Sequence, residues 1–208
     1  IAQKLQAKTN GAFNPTIGKI ITHWKDETEF KLYKQENIGS LFLEAESFTV
    51  TLMDNPISID LGGIGKGFAI DKLMGTFLEW GIEIVLLNSG KSTFLAKQAP
   101  KGEAGWPMTI YHPKTNEHIK QVNLKHNAMA GSGMGKGKHI ISPTNYKPVQ
   151  HRLGAWSMAK TGADADALST SFMIMDEADI QKFVKNNSDF GGMVVDEKGS
   201  VLMIGNWD

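Results

Sequence analysis

Several stretches of the chain place apolar residues in the patterns of β-strands. Residues 48–52 (FTVTL) alternate with a period of two and predict a strand. Residues 57–61 (ISIDL) alternate in the same way and predict a short, half-buried strand. Residues 82–87 form a continuous apolar run, which predicts a buried strand. Other segments also predict strands: 93–96, 106–111, 119–124, 193–195 and 201–204, with 152–159 left as a loop or a strand.

Apolar residues spaced three or four positions apart mark the helices. Residues 163–175 predict a helix with one apolar face. The residues of that face are Ala165, Leu168, Phe172 and Met175. Shorter helices are predicted at 1–8, 17–24 and 178–184. Between the strands, residues 54–56 predict a turn and residues 130–138 predict a flexible glycine loop.

The stretch 57–81 combines the predicted strand with a glycine-rich turn and a helix. The glycines of the turn are Gly62, Gly63, Gly65 and Gly67. The helix covers 68–80, with Leu73, Phe77 and Trp80 at helical spacing, and ends at Gly81. Free N–H groups and the helix dipole make such a helix N-terminus a good anion site. Lys66 adds a positive charge there, and Asp60 at the strand end is placed to grip a polar ligand.

Two nucleotide-binding motifs are excluded in this region. The dinucleotide fingerprint G-x-G-x-x-G is absent from 62–67. Gly90-Lys91-Ser92 resembles the end of a P-loop, but Val85 stands where its first glycine would be. The alternative to a ligand site is a tight strand-to-helix connection that binds nothing. The glycines alone do not decide between these interpretations.

Three further residue patterns are candidates for chemistry. Asp166 and Thr170 are four positions apart on one helix face and carry the hard oxygen ligands that Mg²⁺ or Ca²⁺ prefers. The alternative is a solvated first-turn acid. His139 follows the glycine loop and is either a general base, expected to be mobile without ligand, or a structural histidine. Phe13 either stacks on an aromatic ligand or lies in the core.

Composition excludes some classes of protein. Lys and Arg number 22 and are balanced by 22 Asp and Glu, which argues against a nucleic-acid or membrane-surface footprint. No apolar run reaches the ~18 residues of a membrane span. Cysteine is absent, which removes disulfides, thiolate metal sites and cysteine nucleophiles. Because residue 1 begins in a helical pattern without a signal peptide, we expect a processed form or a fragment.

Six segments in order resemble the ApbE-type FAD:protein FMN transferases, flavin-trafficking proteins once called thiamine-biosynthesis lipoproteins. The segments are TNGAFNPT at 9–16, IDLGGIGKGFAID at 59–71, LLNSG at 86–90, GWPMTIYHP at 105–113, HIISP at 139–143 and ADALSTSFMIM at 165–175. The resemblance implies an α+β fold, with helices around a sheet core that resembles a tunnelling-fold unit. It also implies one ApbE-like domain over 1–208 that lacks a native N-terminal segment.

The resemblance implies Mg²⁺-dependent transfer of FMN from FAD to a Ser or Thr hydroxyl of an acceptor protein, with release of AMP. The alternatives are an FAD pyrophosphatase that gives FMN and AMP, or a non-catalytic flavin-binding protein. It assigns flavin-nucleotide contacts to Ala12, Phe13, Asn14, Asp60, Lys66 and Ile141. It assigns the metal to Gly63, Asp166 and Thr170. It assigns the catalytic roles to His139, as the base near the reacting phosphate, and to Asp60.

The chain departs from the family pattern near the expected flavin and acceptor side. The family's N-x-G-G-(D/N) motif reads Asn88-Ser89-Gly90-Lys91-Ser92 here. The segment before His139 is short and lacks the usual aromatic residues, and Ser142 replaces a common acidic residue. These changes bear on flavin affinity and acceptor recognition more than on metal binding.

The family resemblance also implies a location and partners. Its members are mostly bacterial and exported, in the periplasm or at the outer face of the inner membrane, and are often lipid-anchored. The expected partners are FAD and a flavinylated acceptor protein, such as a subunit of a redox-driven ion pump. We further expect Asp166→Ala to abolish Mg²⁺-dependent turnover and to leave the fold nearly intact, because a surface-facing acid contributes little stability. Ile140 and Ile141 are expected to anchor His139 on a strand.

Overall fold

The computed structural model describes residues 1–25, 40–53, 57–137 and 139–207. The helices are α1 (Ala2–Lys8), α2 (Gly18–Lys25), α3 (Gly65–Glu79), α4 (Gly162–Ile174) and α5 (Glu177–Asn186). The strands are β1 (Ser40–Glu44), β2 (Thr49–Met53), β3 (Leu86–Ser89), β4 (Thr93–Ala96), β5 (Trp106–Tyr111), β6 (His118–Leu124), β7 (Ala128–Gly133), β8 (Arg152–Ala159), β9 (Gly191–Asp196) and β10 (Val201–Ile204). The turn predicted at 54–56 lies outside the described residues.

An antiparallel six-stranded sheet forms the centre of the fold, in the order β10-β9-β8-β7-β4-β3. Strands β5 and β6 form a separate hairpin, and β1 and β2 form another. Helices α3, α4 and α5 cover one face of the large sheet through a cluster that includes Ile70, Leu168, Phe172 and Phe183. The β5–β6 hairpin covers the other face through Ile110, Val122 and Leu124. The result is a three-layered α+β arrangement with a core on each side of the sheet.

Helix α4 is the most deeply buried of the described helices. Ten of its thirteen residues are buried. Its sheet side carries Leu168 and Phe172, while Ala163 and Ala167 on the opposite side pack against α1 and Phe13. The predicted helix is therefore confirmed, and so is the shared face of Ala165, Leu168, Phe172 and Met175, which all pack into the same cluster. The other sides of the helix are buried too, so its apolar character is not confined to that face.

Helices α3 and α4 touch backbone to backbone. A Cβ atom at Gly67 would lie 2.0 Å from the carbonyl oxygen of Gly162, so no side chain fits there. Asp71, one turn further along α3, accepts hydrogen bonds from the backbone N–H groups of Gly162 at 2.6 Å and Ala163 at 2.9 Å. Glycine at the contact and a carboxylate at the N-terminus of α4 together fix the distance between the two helices.

We expect Asp71→Ala to lower the free energy of unfolding by about 1–2 kcal/mol, the usual range for a lost helix cap. The half-buried carboxylate caps α4 although burial raises its pKa, because the two N–H donors oppose that shift. Urea denaturation measures the change. Asp164→Ala is the matched control in the same first turn, where only a dipole interaction of about 0.5 kcal/mol is lost. Equal losses in both variants would contradict the capping role of Asp71.

Two predicted strands are wrong in whole or in part. Residues 57–61 form no strand: Ser58 makes an isolated bridge to Ile17, and Ile59 and Leu61 are exposed by 43% and 49%. Among the described residues, no neighbouring strand pairs with this segment, so its alternating pattern does not become a strand. The run 82–87 becomes a strand only from Leu86 onward, and Ile84 is 56% exposed. This run leads into β3, an edge strand, rather than into the centre of the sheet.

Two other predictions need correction. The helix at 68–80 exists and begins earlier, at Gly65, but Trp80 is 76% exposed and Leu73 46% exposed. The buried face of α3 is formed instead by Gly67, Ile70 and Met74, because this face meets α4 and the sheet. The glycine loop predicted at 130–138 is strand β7 up to Gly133, followed by a 3₁₀ turn at Met134–Lys136.

The remaining predicted helices and strands are confirmed within a few residues at each end, and 152–159 is strand β8. Within the described ranges, no helix combines the length and the apolar character that crossing a bilayer requires.

Candidate functional site

A cavity of about 540 Å³ lies where the turn at 12–14, the start of α3, strand β7 and the segment 139–141 meet. It brings together residues that are far apart in the sequence. Those predicted as site residues that line it are Ala12, Phe13, Asn14, Asp60, Gly63, Lys66, His139, Ile141 and Thr170. Of the predicted site residues, Asp166 alone does not line the cavity, because it lies beneath the start of α3.

Asp166 is buried, with 2% of its surface exposed. Its Oδ1 accepts hydrogen bonds from the Lys66 ammonium at 2.8 Å and from the Thr93 hydroxyl at 3.1 Å. Its Oδ2 accepts one from the backbone N–H of Gly67 at 3.1 Å. The expectation of a surface-facing acid is therefore wrong, because α4 turns this residue toward α3 and β4 rather than toward solvent.

The N-terminus of α3 does hold an anion, but this anion is the carboxylate of Asp166 and not a ligand. The N–H of Gly67 is taken by Asp166, and the N–H groups of Gly65 and Phe68 donate to the carbonyls of Leu61 and Ile64. A ligand at this helix end therefore meets Lys66 and the rim of the cavity rather than a row of free N–H groups.

Hydroxyl groups line the floor of the cavity next to Asp166. Ser132 Oγ lies 2.8 Å from Ser169 Oγ and 3.3 Å from Thr170 Oγ1. Gly63 faces Thr170 so closely that a Cβ atom there would lie 3.2 Å from Thr170 Oγ1. Its lack of a side chain leaves the backbone of the glycine turn open to the hydroxyl.

The oxygen donors fit a hard cation. Asp166 carries a carboxylate and Thr170 a hydroxyl, and the backbone of Gly63 lies next to that hydroxyl. Carboxylate, hydroxyl and backbone carbonyl oxygens are donor types that Mg²⁺ takes. A positive charge already sits on this carboxylate in the form of Lys66. No group of three or more His, Asp or Glu side chains suited to a metal occurs in the described ranges, so the remaining ligands would be water or substrate oxygens.

The turn at 12–16 forms one wall of the cavity and is fixed by its own side chains. Thr9 Oγ1 accepts the N–H of Phe13 at 3.0 Å. Asn14 Oδ1 accepts both the N–H and the hydroxyl of Thr16, at 2.9 and 2.8 Å. Phe13 is only 4% exposed and packs with Leu5 and Ala167. Phe13 is therefore a core residue that also lines the cavity, and its stacking on an aromatic ligand stays a prediction.

His139 and Asp60 lie on the cavity with defined partners. The Nδ1 atom of His139 lies 2.9 Å from the carbonyl oxygen of Gly137. Since a carbonyl only accepts, Nδ1 is the donor in this hydrogen bond, and in that tautomer Nε2 is the ring nitrogen that can accept a proton. Asp60 Oδ1 accepts the N–H of Gly62 at 2.7 Å, which fixes the carboxylate above the glycine turn.

The segment after His139 is not a strand, contrary to prediction. Ile140 and Ile141 are buried and form the wall next to α2, where Ile141 packs with Ile17 and Ile20. Their backbone pairs only locally: Ile141 forms an isolated antiparallel bridge with Pro148, and the N–H of Val149 donates to Ile140 O at 2.9 Å. His139 therefore has a fixed neighbour on its C-terminal side.

Ser92, which the sequence marked only as a departure from the family motif, lines the cavity. Sequence reasoning missed two further polar residues of this site. Thr93 is fully buried on β4 beside Asp166, and Ser132 lines the cavity. A threonine in an otherwise apolar strand and a serine within a glycine run were the available signals.

His112 is structural, since its Nδ1 accepts the N–H groups of Lys114 and Thr115.

Comparison with known proteins gives one consistent family. A sequence model described as the ApbE family matches residues 1–193. The protein named FAD:protein FMN transferase from Escherichia coli (strain K12) is 25% identical over 199 residues, which cover 83% of this chain and 56% of that protein. The protein of the same name from Chlamydia pneumoniae is 28% identical over 199 residues, covering 81% and 59%. The chain thus spans little more than half the length of these curated relatives.

Solved structures show the same fold. The crystal structure of the ApbE protein from Thermotoga maritima superposes with a TM-score of 0.83 at 23% identity, over 98% of this chain and 73% of that one. The flavin transferase ApbE from Vibrio cholerae gives 0.82 at 21% identity, over 98% and 72%. The expected ApbE-like α+β fold is confirmed, while the likeness of its sheet to a tunnelling-fold unit stays a prediction.

Proposed function

Because the chain belongs to the ApbE family, we propose that it moves FMN from FAD to a Ser or Thr hydroxyl of an acceptor protein and releases AMP. One observation carries the proposal: a single cavity of about 540 Å³ is lined by a lysine, a histidine whose Nδ1 is bonded to Gly137 O, hydroxyl groups and an apolar wall. Phosphates need the positive charge, an attacking hydroxyl needs the base, and a flavin ring needs the apolar wall.

Mg²⁺ is the proposed cofactor, held by the Gly63 carbonyl, Asp166 and the Thr170 hydroxyl. When bound, it would stabilise the negative charge that develops on the pyrophosphate. Thr93 and the N–H of Gly67 hold the Asp166 carboxylate in place for this role. Ser132 hydrogen-bonds to Thr170 Oγ1 from the other side, so the orientation of the hydroxyl is also fixed.

The chain's own residues account for the bonds that change. The oxygen of the acceptor hydroxyl attacks the phosphorus of the FMN half of FAD, and the bond from this phosphorus to the AMP oxygen breaks. His139 Nε2 takes the proton of the hydroxyl. Lys66 places a positive charge next to the phosphate oxygens. Phe13 and Ile141, with Ala12 and Asn14 on the same wall, exclude water from the flavin side of the cavity.

The test is incubation of the full chain with FAD, Mg²⁺ and a candidate acceptor domain that contains the target Ser or Thr. Covalent flavin fluorescence on the acceptor, together with AMP release, is the expected result. An acceptor with the target residue replaced by Ala is the matched control and should stay unlabelled. Free FMN and AMP without labelling would replace the proposal with an FAD pyrophosphatase, and unchanged FAD would replace it with a flavin-binding protein.

We further propose that the protein acts outside the bacterial cytoplasm, at the outer face of the inner membrane or in the periplasm, on an exported or membrane acceptor such as a subunit of a redox-driven ion pump. The support is the family alone. Fractionation of cells that carry the full-length protein tests this, with the protein expected in the membrane or periplasmic fraction. A purely cytosolic result would contradict it.

A further inference from the structure

The Lys66 ammonium occupies the position of a cation at Asp166. Its Nζ lies 2.8 Å from Oδ1 of a carboxylate whose side chain is only 3% exposed. Thr93 takes a second position on the same oxygen, and Gly67 donates to the other oxygen. The buried carboxylate is thus neutralised and hydrogen-bonded without any metal, which removes the cost of burying an unpaired charge.

A divalent cation and this ammonium cannot both sit on Oδ1. That oxygen already accepts two hydrogen bonds, and a metal bound to it at about 2.1 Å would lie within a few ångströms of Nζ. Since like charges at that distance repel strongly in a partly buried site, a metal bound to Oδ1 would drive the ammonium away from it. Thr93 is a neutral donor, fully buried on β4, and has no charge that forces it to move.

The Lys66 side chain has room to move away from Asp166. It is 36% exposed and lines the cavity. Its stem runs past Gly90, where a Cβ atom would lie 3.3 Å from the Lys66 Cδ atom, so the glycine leaves room beside the stem. Rotation of the flexible stem carries the ammonium from Asp166 into the cavity without any movement of the backbone.

We infer that Lys66 is an exchangeable stand-in for the metal: it neutralises Asp166 in the metal-free protein, and a divalent cation displaces it into the cavity. This inference rests on the proposed function, because the displaced ammonium then faces the place of the substrate phosphates. Metal binding thereby completes the phosphate site, and the two ligands favour each other. Thermodynamic linkage makes this effect reciprocal, so phosphate binding would also tighten the metal.

The test is Mn²⁺ binding without FAD, followed by electron paramagnetic resonance and by competition with Mg²⁺, in the wild type, Lys66→Met and Lys72→Met. Lys72 is an exposed lysine on the same helix and is the matched control. Lys66→Met should bind Mn²⁺ about 10-fold or more tightly than wild type, because the competing cation is gone. Lys72→Met should bind as the wild type does. Without metal, Lys66→Met should melt at a lower temperature than wild type, and saturating Mg²⁺ should restore it.

Equal Mn²⁺ affinity in the wild type and Lys66→Met would overturn the inference. If Lys66→Met does not fold, the variant Lys66→Arg tests the inference instead. Arginine keeps the positive charge and pairs more firmly with a carboxylate than lysine does. Lys66→Arg should bind Mn²⁺ more weakly than wild type, and equal or tighter binding would overturn the inference. Absence of Mn²⁺ binding in every variant would also overturn it. Transfer of FMN by the wild type then shows whether the proposed function survives on its own.

Discussion

Replacement of Asp166 by Ala is expected to abolish Mg²⁺-dependent turnover of FAD and also to destabilise the fold by about 1–3 kcal/mol, the cost of leaving buried polar groups without a partner. The groups concerned are the N–H of Gly67 and the hydroxyl of Thr93, both of which donate to this carboxylate. Lys66 adds less to the cost, since its side chain is already partly exposed and the ammonium can turn toward water. Thermal or urea unfolding and an FAD turnover assay give the two values.

The variant Asp166→Asn separates these effects. Its amide keeps the volume and an oxygen that accepts a hydrogen bond from the N–H of Gly67, but it loses the charge that a metal needs. We expect Asp166→Asn to be more stable than Asp166→Ala while equally inactive with Mg²⁺. Normal FAD turnover by either variant would show that the metal assignment is wrong. Inactivity of the Ala variant alone would assign its defect to the fold.

The variant His139→Ala is expected to transfer FMN about 10²–10⁴-fold more slowly than wild type, the usual scale of a lost general base. FAD binding should weaken much less, because His139 is one of many lining residues, and Phe13 and Ile141 remain as the apolar wall. Single-turnover rates measure the chemical step, and equilibrium titration with FAD measures affinity.

His118→Ala is the control for His139→Ala, since His118 is an exposed histidine on β6, in a hairpin that does not line the cavity. Its rate should equal that of the wild type. Loss of FAD binding in His139→Ala with an unchanged chemical rate would make His139 a binding residue. The base would then be sought at Asp60, whose carboxylate also lies on the cavity.

Local sequence patterns correctly predicted the helices and strands whose formation depends mainly on residues within their own segment. Helix α4, strands β4 to β6 and the β9–β10 hairpin follow from periodicity and turn residues within their own segments. Residues 57–61 show where this fails. Alternation states which side chains share a face, but a strand needs a neighbour to pair with, and pairing depends on residues elsewhere in the chain.

The sequence predicted which residues belong to the candidate site, but not how those residues are arranged in space. Family motifs placed Phe13, Lys66 and His139 among the site residues, and the cavity brings them together. The pairing of Lys66 with Asp166 joins residues 100 positions apart, and no pattern near either one indicates it. The burial of Asp166 was missed for the same reason, because helical spacing does not say what packs against each face.

The backbone contact between Gly67 and Gly162 has a consequence for the entropy of ligand binding. Where helices meet through side chains, rotamer changes let them slide, and a ligand that bridges them must halt that motion. Here the backbones of the two helices touch directly, since a Cβ atom at Gly67 would lie 2.0 Å from Gly162 O. No side-chain rotamer at this contact can change to let the helices shift. Gly63 and Thr170 also face each other at this junction, where a Cβ atom at Gly63 would lie 3.2 Å from Thr170 Oγ1. A ligand that contacts both would therefore meet two groups whose backbones have little freedom to move apart, and fixing these two groups would cost little ordering free energy.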